Sequence, residues 1–418
     1  MDFFKNMFRA LKHDNYRYFF FGQIVSLIGQ WMQVVAQSWL IYRLTGSSLD
    51  LGIVGFCNQI PILCLVCFGG VVADRYDKRL ILMRTQSACM ILAGILAFLT
   101  LNDLIQVWHI YILAILLGIV GAFDAPARQA LIVELVGKED LSNAIVLNSS
   151  IFNGARLLGP AVAGMIINWV GEGWCFALNS CSYIAVLLGL WAIKLTNKVN
   201  PEPGTPWQRI KEGLIFIKKS FPIIVLLCVL GSMSMLCTPQ MVLMPAVAKD
   251  ILHGDASTLG YLMTMSGLGA FVGALILANK KGISNFEKLI CYCMLVAGVC
   301  FIAFGYSDSK IISYILMAPI GVCMMCQMAS SNTLVQSIVS DEVRGRVMSF
   351  HAMTFMGSLP IGSLLSGFLA KKIGVPLTFA ISGVLLIISG IIFALVMRRF
   401  RILLNRQIGL EGRKTLLD

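Results

Sequence analysis

The sequence predicts an all-α integral membrane protein with twelve transmembrane helices in two six-helix halves. Composition, the spacing of apolar runs and an internal repeat carry this prediction. Of the 418 residues, 58% are hydrophobic and 13% are charged, and the mean hydropathy is +0.82, which is too apolar for an ordinary soluble domain. The net charge of +12 falls in the gaps between apolar runs rather than on one soluble face, which argues against a nucleic-acid-binding protein.

Twelve apolar runs are long enough to cross a membrane, since a helix needs about 20 apolar residues to do so. Between the sixth and seventh runs, a proline-rich stretch and then a basic amphipathic stretch predict a hinge and an interfacial helix. The predicted domains are a first half at 1–195, this cytoplasmic linker at 196–222, and a second half with a basic tail at 223–418. The predicted spans are 18–42, 50–73, 80–101, 107–128, 142–168, 174–194, 223–248, 258–279, 288–306, 311–335, 347–370 and 374–397.

The distribution of Lys and Arg predicts the orientation, because basic loops are retained on the cytoplasmic side. Most of the 33 basic residues fall on one side of the predicted bundle. The opposite side carries only Arg43, Lys249, Lys310, Lys371 and Lys372. Both termini are therefore predicted to be cytoplasmic, in a multi-pass protein of the plasma membrane.

The two halves repeat each other when the sequence is shifted by 203 positions. Residues 131–177 then align with 334–380, and Gly154, Gly159 and Gly164 fall on Gly357, Gly362 and Gly367. A single offset kept across two spans and a loop indicates duplication. Parallel halves of this kind are typical of secondary transporters that bind substrate near the membrane midplane.

One charged residue, Arg156, interrupts the fifth predicted span. It lies roughly 22 Å along the helix from Leu141, at about 1.5 Å per residue, and we expect no acidic residue at its depth. A guanidinium at mid-bilayer costs about 2.5–3.5 kcal/mol. Two interpretations remain open: an arginine capped by Asn or Gln side chains and backbone carbonyls, or a cavity-facing cation that binds an anionic part of a substrate.

Polar residues in the first two spans are further candidates for a substrate cavity. Four glutamines of the first span fall within an arc of roughly 80°, at about 100° per residue. Such a stripe favours a wet cavity, and hydrogen bonding between helices is the alternative. With Arg156, the candidate substrate-binding residues are Gln23, Gln30, Gln33, Gln37 and Asn58.

The loop between the second and third spans, "GGVVADRYDKRLIL" at 69–82, combines glycines with both signs of charge. Gly70 is a candidate for close helix approach, and Asp74, Arg75 and Arg79 are candidate gate charges at the membrane edge. A simple topology anchor explains the basic residues but leaves the acidic residue unexplained.

Two more sets of charges accompany this loop. Asp124 and Arg128 lie one helical turn apart in the fourth span, where they can pair with each other, or Asp124 can reach the Arg75 loop instead. In the second half, the candidate gate residues are Asp341, Arg344 and Arg346.

The fifth span also contains the run Gly159-Pro160-Ala161-Val162-Ala163-Gly164. Pro160 removes a backbone donor and bends a helix, whereas Gly154, Gly159 and Gly164 allow helices to approach closely. Packing alone would explain this run in any membrane bundle.

These motifs resemble those of the major facilitator superfamily. The loop at 69–82 resembles the G-x-x-x-D-R-x-G-R-R gate motif, with Asp77 where a glycine is usual, and 159–164 resembles the G-P-x-x-x-G motif of antiporters. Together with 26–56, 141–164 and 341–367, they resemble the enterobactin-exporter-like branch across residues 16–397. The resemblance implies the major facilitator fold, a bacterial inner membrane and proton-driven export of siderophores or drugs. It also implies that Asp74 and Arg75 form a cytoplasmic gate.

The expected function is therefore export of a siderophore-like or other amphipathic molecule by alternating access and proton antiport. A functional monomer in the lipid bilayer is expected, with Asp124 and His351 as candidates for carrying protons. A multidrug efflux pump for cationic or neutral drugs, and a passive facilitator or lysolipid transporter, are the alternatives. No enzyme motif such as H-E-x-x-H or G-x-S-x-G occurs. No cofactor or metal site is predicted, because most of the 13 cysteines lie in apolar spans, where they pack as small hydrophobes.

Overall fold

Long apolar helices make up most of the protein. The computed structural model describes residues 8–193, 214–218, 220–280, 282 and 284–414, without the side chains of Lys138, Asp341, Glu342 and several residues after Leu404. Within this part of the chain, twelve helices are long and apolar enough to cross a membrane. The number predicted from hydropathy is therefore confirmed.

The helices are numbered in chain order. The first six are α1 (Asp14–Thr45), α2 (Ser48–Arg75), α3 (Lys78–Leu101), α4 (Val107–Gly137), α5 (Glu139–Val170) and α6 (Glu172–Ala192). The second six are α7 (Phe221–Leu236), α8 (Ala256–Ala278), α9 (Phe286–Gly305), α10 (Lys310–Ile338), α11 (Asp341–Ile373) and α12 (Val375–Lys414). We call the ends of these helices inner or outer after the orientation that the basic residues predict.

Several helices differ in extent from the predicted spans. The connection expected at 129–141 is almost entirely helical, and only Gly137, with φ 69° and ψ −179°, interrupts the chain between α4 and α5. Glycine adopts this positive φ without steric cost. The span predicted at 223–248 is broken, because α7 ends at Leu236 and short turns follow at Pro239–Val242, Met244–Ala246 and Val247–Ile251. Pro239 begins the first of these turns and Pro245 lies within the second, and neither proline has an amide donor.

Most of the linker predicted at 196–222 lies outside the described residues, including Trp207 and Ile210. Residues 214–218 are helical, with Leu214 exposed and Ile217 buried. The interfacial helix stays a prediction.

The chain divides into two compact units. The first contains Met1–Glu202 and Pro245–Thr264, and the second contains Pro203–Met244 and Met265–Asp418. The segment between α7 and α8, together with the start of α8, is thus grouped with the first unit. There Ser257 donates to the Gly164 carbonyl over 3.3 Å, and Asn168 donates to Asp255 over 2.6 Å.

Glycines allow α2 and α4 of the first unit to touch along their backbones. A Cβ at Gly69 would lie 2.1 Å from the Ala122 carbonyl oxygen, and one at Gly118 would lie 2.3 Å from the Asn58 carbonyl oxygen. Neither carbonyl belongs to a flexible side chain, so these contacts require glycine. The close approach therefore depends on Gly69, whereas a Cβ at the candidate Gly70 would meet no atom within 4 Å.

The second unit uses the same device between α9 and α12. A Cβ at Gly298 would lie 2.6 Å from the Gly383 carbonyl oxygen, and a Cβ at Gly383 would lie 2.5 Å from the Gly298 carbonyl oxygen. Dispersion contacts over such close surfaces are a main source of helix association in lipid. The two helices therefore form a tightly packed pair.

A pair of substitutions in α4 tests the importance of these contacts. Gly118→Ala should destabilise the protein by about 1–3 kcal/mol, because the new methyl group overlaps the Asn58 carbonyl. Gly121→Ala is the matched control, since its Cβ would lie 3.5 Å from the Ile62 side chain, an ordinary contact distance. Thermal unfolding in detergent should show a lower Tm only for Gly118→Ala, and equal Tm values would contradict the assignment.

Candidate functional site

Arg156 lies on α5, near the Trp31 ring of α1. Its guanidinium carbon is 5.8 Å from the centroid of the Trp31 ring, and that ring meets Phe152 edge-on with centroids 5.8 Å apart. A Cβ at Gly159 would lie 2.5 Å from the Trp31 Cβ, so this glycine allows α1 and α5 to come this close. Within the described part of the chain, Arg156 makes no hydrogen bond or ion pair.

The Trp31 contact compensates for only part of the cost of this charge. A cation over an aromatic face gains about 0.5–2 kcal/mol, and it leaves the five N–H donors of the guanidinium without acceptors. The Asn, Gln and backbone caps of the structural interpretation are absent among the described residues. The group is therefore suited to binding a planar anion with two parallel hydrogen bonds.

The four candidate glutamines of α1 have different surroundings. Gln33 accepts a hydrogen bond from Asn179 of α6 over 2.6 Å, and Gln30 donates to Ser26 of its own helix over 3.1 Å. Gln23 accepts from Arg128 of α4. Gln37 is buried, and its side chain makes no hydrogen bond to a described residue. Two of the four thus form the interhelical hydrogen bonds that were the alternative to a cavity.

Asn58, the remaining substrate-binding candidate, lies on α2 at the contact with α4. Its backbone carbonyl is the group that Gly118 approaches, and its side chain is half-buried. The residue therefore has a packing role through its backbone, and its amide stays a candidate for substrate contact.

Asp124 lies at the centre of a hydrogen-bonded cluster that joins three helices. Its Oδ1 accepts from Thr85 over 2.8 Å and from Gln86 over 2.7 Å, both on α3. Its Oδ2 accepts from the Nε of Arg128 over 3.0 Å and from a terminal guanidinium nitrogen over 2.5 Å. Arg128 also donates to Gln23 of α1. Of the two pairings open from the sequence, Asp124 therefore makes the one with Arg128.

This cluster was only partly visible in the sequence. The spacing of Asp124 and Arg128 predicted an ion pair, and both side chains are largely buried, at 13% and 17% exposed. Thr85 and Gln86 were missed, because an uncharged polar pair in an apolar span gives no pattern that distinguishes a partner from lipid-facing residues.

The charged residues of the α2–α3 loop have separate roles. Asp77 caps α3 by accepting from the backbone N–H of Arg79 over 2.8 Å, as an Asp at this position commonly does. The Arg79 side chain donates to the carbonyls of Leu190 and Trp191 over 2.6 and 2.8 Å, which caps the end of α6. Lys78 pairs with Glu134 at 2.5 Å, an ion pair that the sequence analysis did not identify.

Asp74 and Arg75, the two central gate candidates, are exposed. Neither makes a hydrogen bond or ion pair within the described part of the structure. They are therefore available to another partner. Arg79, by contrast, is already engaged at the end of α6.

Gate and proton candidates of the second unit lie on α11. The side chain of Asp341 is outside the described ones, Arg344 is exposed and Arg346 is half-buried. His351 is buried, and its Nε2 has no hydrogen-bond partner among the described residues.

The glycine and proline run of α5 makes helix contacts on two levels. A Cβ at Gly164 would lie 2.7 Å from the Ala256 carbonyl oxygen, and a Cβ at Gly260 would lie 2.6 Å from the Pro160 carbonyl oxygen. Gly159 faces α1, whereas Gly154 has no neighbour within 4 Å of a Cβ position. The run therefore acts mainly in packing.

Substituting Asp124 tests whether its cluster holds the first unit together. Asp124→Asn should destabilise the protein by about 3 kcal/mol, because Arg128 would remain largely buried without its counter-charge. Adding Arg128→Gln should recover part of the loss. Asp74→Asn is the control, since Asp74 is exposed and unpaired in the described structure. Thermal unfolding in detergent measures all three, and a Tm for Asp124→Asn equal to that of Asp74→Asn would contradict this role.

The chain is similar to known transporters along nearly its whole length. It is 28% identical to the staphyloferrin A transporter of Staphylococcus aureus (strain NCTC 8325 / PS 47) over 396 residues, 93% of this chain and 98% of that protein. It is 24% identical to the enterobactin exporter EntS of Shigella flexneri over 395 residues, 93% and 94% of the two chains. The crystal structure of the peptide transporter POT matches with a TM-score of 0.74 and 13% identity, over 93% of this chain and 95% of that one.

Family membership follows from a match over most of the sequence. The family model described as "Transmembrane secretion effector" matches residues 5–403. Its members and the similar proteins are transporters of the major facilitator type rather than enzymes, which confirms the resemblance and the fold read from the sequence. The chain belongs to the transmembrane secretion effector family of the major facilitator superfamily.

Proposed function

We propose that this protein exports an amphipathic organic anion of the siderophore type across a bacterial inner membrane, by alternating access and in exchange for protons. The single observation that carries the proposal is Arg156, a cation deep in α5 without an anionic partner among the described residues. A substrate anion would supply that partner during transport. The cost of placing this charge in an apolar span is then offset when substrate is bound.

The surroundings of Arg156 favour a substrate with both a charged and an apolar part. The guanidinium lies near the Trp31 ring, which contacts Phe152 edge-on, and the two rings offer aromatic surface to a flat or apolar group. A carboxylate or catecholate oxygen can accept from Arg156 while the remainder of the molecule contacts these rings. Gln30, Gln37 and Asn58 are proposed to add hydrogen bonds, because within the described structure their side-chain amides make no hydrogen bond to another helix.

The similar proteins support the substrate class. Two of them are named for the transport or export of siderophores, staphyloferrin A and enterobactin. The sequence similarity extends across 93% of this chain in both cases. These names support a substrate of the siderophore type.

Asp124 is a proposed site for proton exchange because its charge holds three helices together. Protonation would remove the charge that Arg128 pairs with and would weaken the hydrogen bonds from Thr85 and Gln86. Because Arg128 also donates to Gln23, loss of the ion pair would loosen α1 against α3 and α4. His351 is the second candidate, as a buried imidazole whose Nε2 has no hydrogen-bond partner among the described residues.

Asp74 and Arg75 are proposed to form a gate that engages when the cytoplasmic side closes. Both are exposed and unpaired in the described structure, so they can make new contacts in another state. Asp341, Arg344 and Arg346 are their proposed counterparts in the second half. The proposal includes cytoplasmic termini, a functional monomer, and halves at 1–195 and 223–418 joined by the linker at 196–222.

Ligand-induced stabilisation tests the substrate class, since a ligand that binds the native state raises Tm by mass action. The purified protein should be stabilised by catecholate and carboxylate siderophores and not by cationic amphipaths. Arg156→Gln should remove the response to anions. Arg84→Gln is the matched control, because it removes from the same unit one exposed positive charge that has no partner in the described structure.

Two outcomes would contradict the anion site. If anions stabilised Arg156→Gln and the unsubstituted protein equally, Arg156 would have a structural role and not a role in anion binding. Stabilisation by cationic amphipaths alone would favour multidrug efflux instead.

Transport in inverted membrane vesicles tests energy coupling and the gate. Uphill accumulation of a stabilising anion should stop when an uncoupler collapses the proton gradient. Asp74→Asn should transport at least about tenfold more slowly, which corresponds to about 1.4 kcal/mol in a barrier, with an unchanged ligand-induced rise in Tm. Accumulation that survives the uncoupler would indicate a different energy source, and normal transport by Asp74→Asn would count against the gate.

A further inference from the structure

We propose that the inner ends of α9 and α12 form a binding site for the headgroup of an anionic phospholipid. The inference does not depend on the transported substrate or on the direction of transport. It rests on the exposed faces of these two helices in the second unit, and on charges there that have no partner among the described residues.

The exposed face of α12 changes from apolar to mixed basic and apolar near its inner end. Leu395 is 78% exposed and Ile402 is 61% exposed, and the exposed side chains of Arg398 and Arg406 alternate with them. These residues recur every three or four positions, so they share one face of the helix. A face that contacts acyl chains at Leu395 therefore continues into two cationic positions with an apolar residue between them.

The neighbouring helix α9 presents a matching face. Lys288 is exposed one turn before Tyr292, which is 63% exposed, and exposed Tyr is typical of the membrane interface. The ion pair of Arg401 with Glu287, at 2.7 Å, fixes the register of the two inner ends. Lys288 consequently lies at the level at which α12 turns basic.

The inner ends of α9 and α12 carry more positive than negative charge. Arg401 is neutralised by Glu287, and Arg399 stacks 4.7 Å from the centroid of the Phe221 ring. Lys288, Arg398 and Arg406 make no hydrogen bond or ion pair with any described residue. Glu287 is the only acidic residue in 284–288 and 398–409.

The chemistry of the three cations and their neighbours fits a phospholipid. Guanidinium groups bind phosphate oxygens through paired hydrogen bonds. Basic residues at a membrane surface attract anionic lipids, and Leu395, Ile402 and Tyr292 provide apolar contact for the attached chains. A free phosphate would use the charges but would gain nothing from the exposed apolar residues.

Lipid titration of the purified full-length protein in detergent tests this site. Phosphatidylglycerol should raise Tm at concentrations at which phosphatidylcholine with the same acyl chains does not. The double variant Arg398→Gln with Arg406→Gln should need about tenfold more phosphatidylglycerol for the same rise. Arg398→Lys with Arg406→Lys should fall between the unsubstituted protein and the glutamine variant, because lysine keeps the positive charge but cannot make the paired hydrogen bonds of a guanidinium.

The matched control is Lys310→Gln with Lys371→Gln, which removes two exposed charges from the outer ends of α10 and α11. The Tm of this control should rise with phosphatidylglycerol as the Tm of the unsubstituted protein does. Equal weakening in both glutamine double variants would indicate diffuse attraction and would overturn the site. A rise with inorganic phosphate equal to that with phosphatidylglycerol, or with phosphatidylcholine alone, would also overturn it.

Discussion

The absence of water from the hydrocarbon core is the constraint on which this protein depends. Every polar group there needs a partner within the protein or in a bound molecule. The Asp124 carboxylate meets this requirement through Arg128, Thr85 and Gln86. Arg156 meets it only through the face of Trp31 in the described structure. In the first unit, Asp124 thus has its partners within the protein, whereas Arg156 can take a partner from a bound molecule.

Helix α1 connects these two charged positions. Gln23 accepts from Arg128, and Trp31 lies against Arg156, so about 12 Å of one helix separates the contacts at 1.5 Å per residue. Its glycines hold it close to its neighbours, because a Cβ at Gly22 would lie 2.8 Å from the Ala185 carbonyl oxygen. A rigid helix held this closely can transmit a change at the Asp124 cluster to the ring that faces Arg156. The proposed exchange of protons and substrate uses this connection.

The sequence was sufficient to predict the helices but not the contacts between them. Hydropathy located all twelve spans, since length and apolarity are local properties of the chain. The breaks were harder to locate: Gly137 alone separates α4 from α5, whereas Pro239 and Pro245 interrupt the predicted seventh span. Which glycine faces another helix depends on helix rotation, so Gly70 was selected where Gly69 makes the contact.

The other contacts of the site that the sequence did not predict join residues on different helices. The spacing of Asp124 and Arg128 revealed their pair because they share one helix. The hydrogen bond from Asn179 to Gln33 and the ion pair of Lys78 with Glu134 join residues on different helices. A single sequence contains no direct signal for such contacts, because they join residues that are far apart along the chain. The solitary charge of Arg156 was visible for the opposite reason, because an unpaired charge in an apolar run is a local feature.

The most direct test of the central claim is an experimental structure of the protein with a stabilising anionic siderophore bound. The account predicts an oxygen of the ligand at about 2.7–2.9 Å from a guanidinium nitrogen of Arg156, with the apolar part of the ligand against Trp31 or Phe152. A ligand bound elsewhere, with Arg156 contacting only Trp31 as it does without ligand, would contradict the claim.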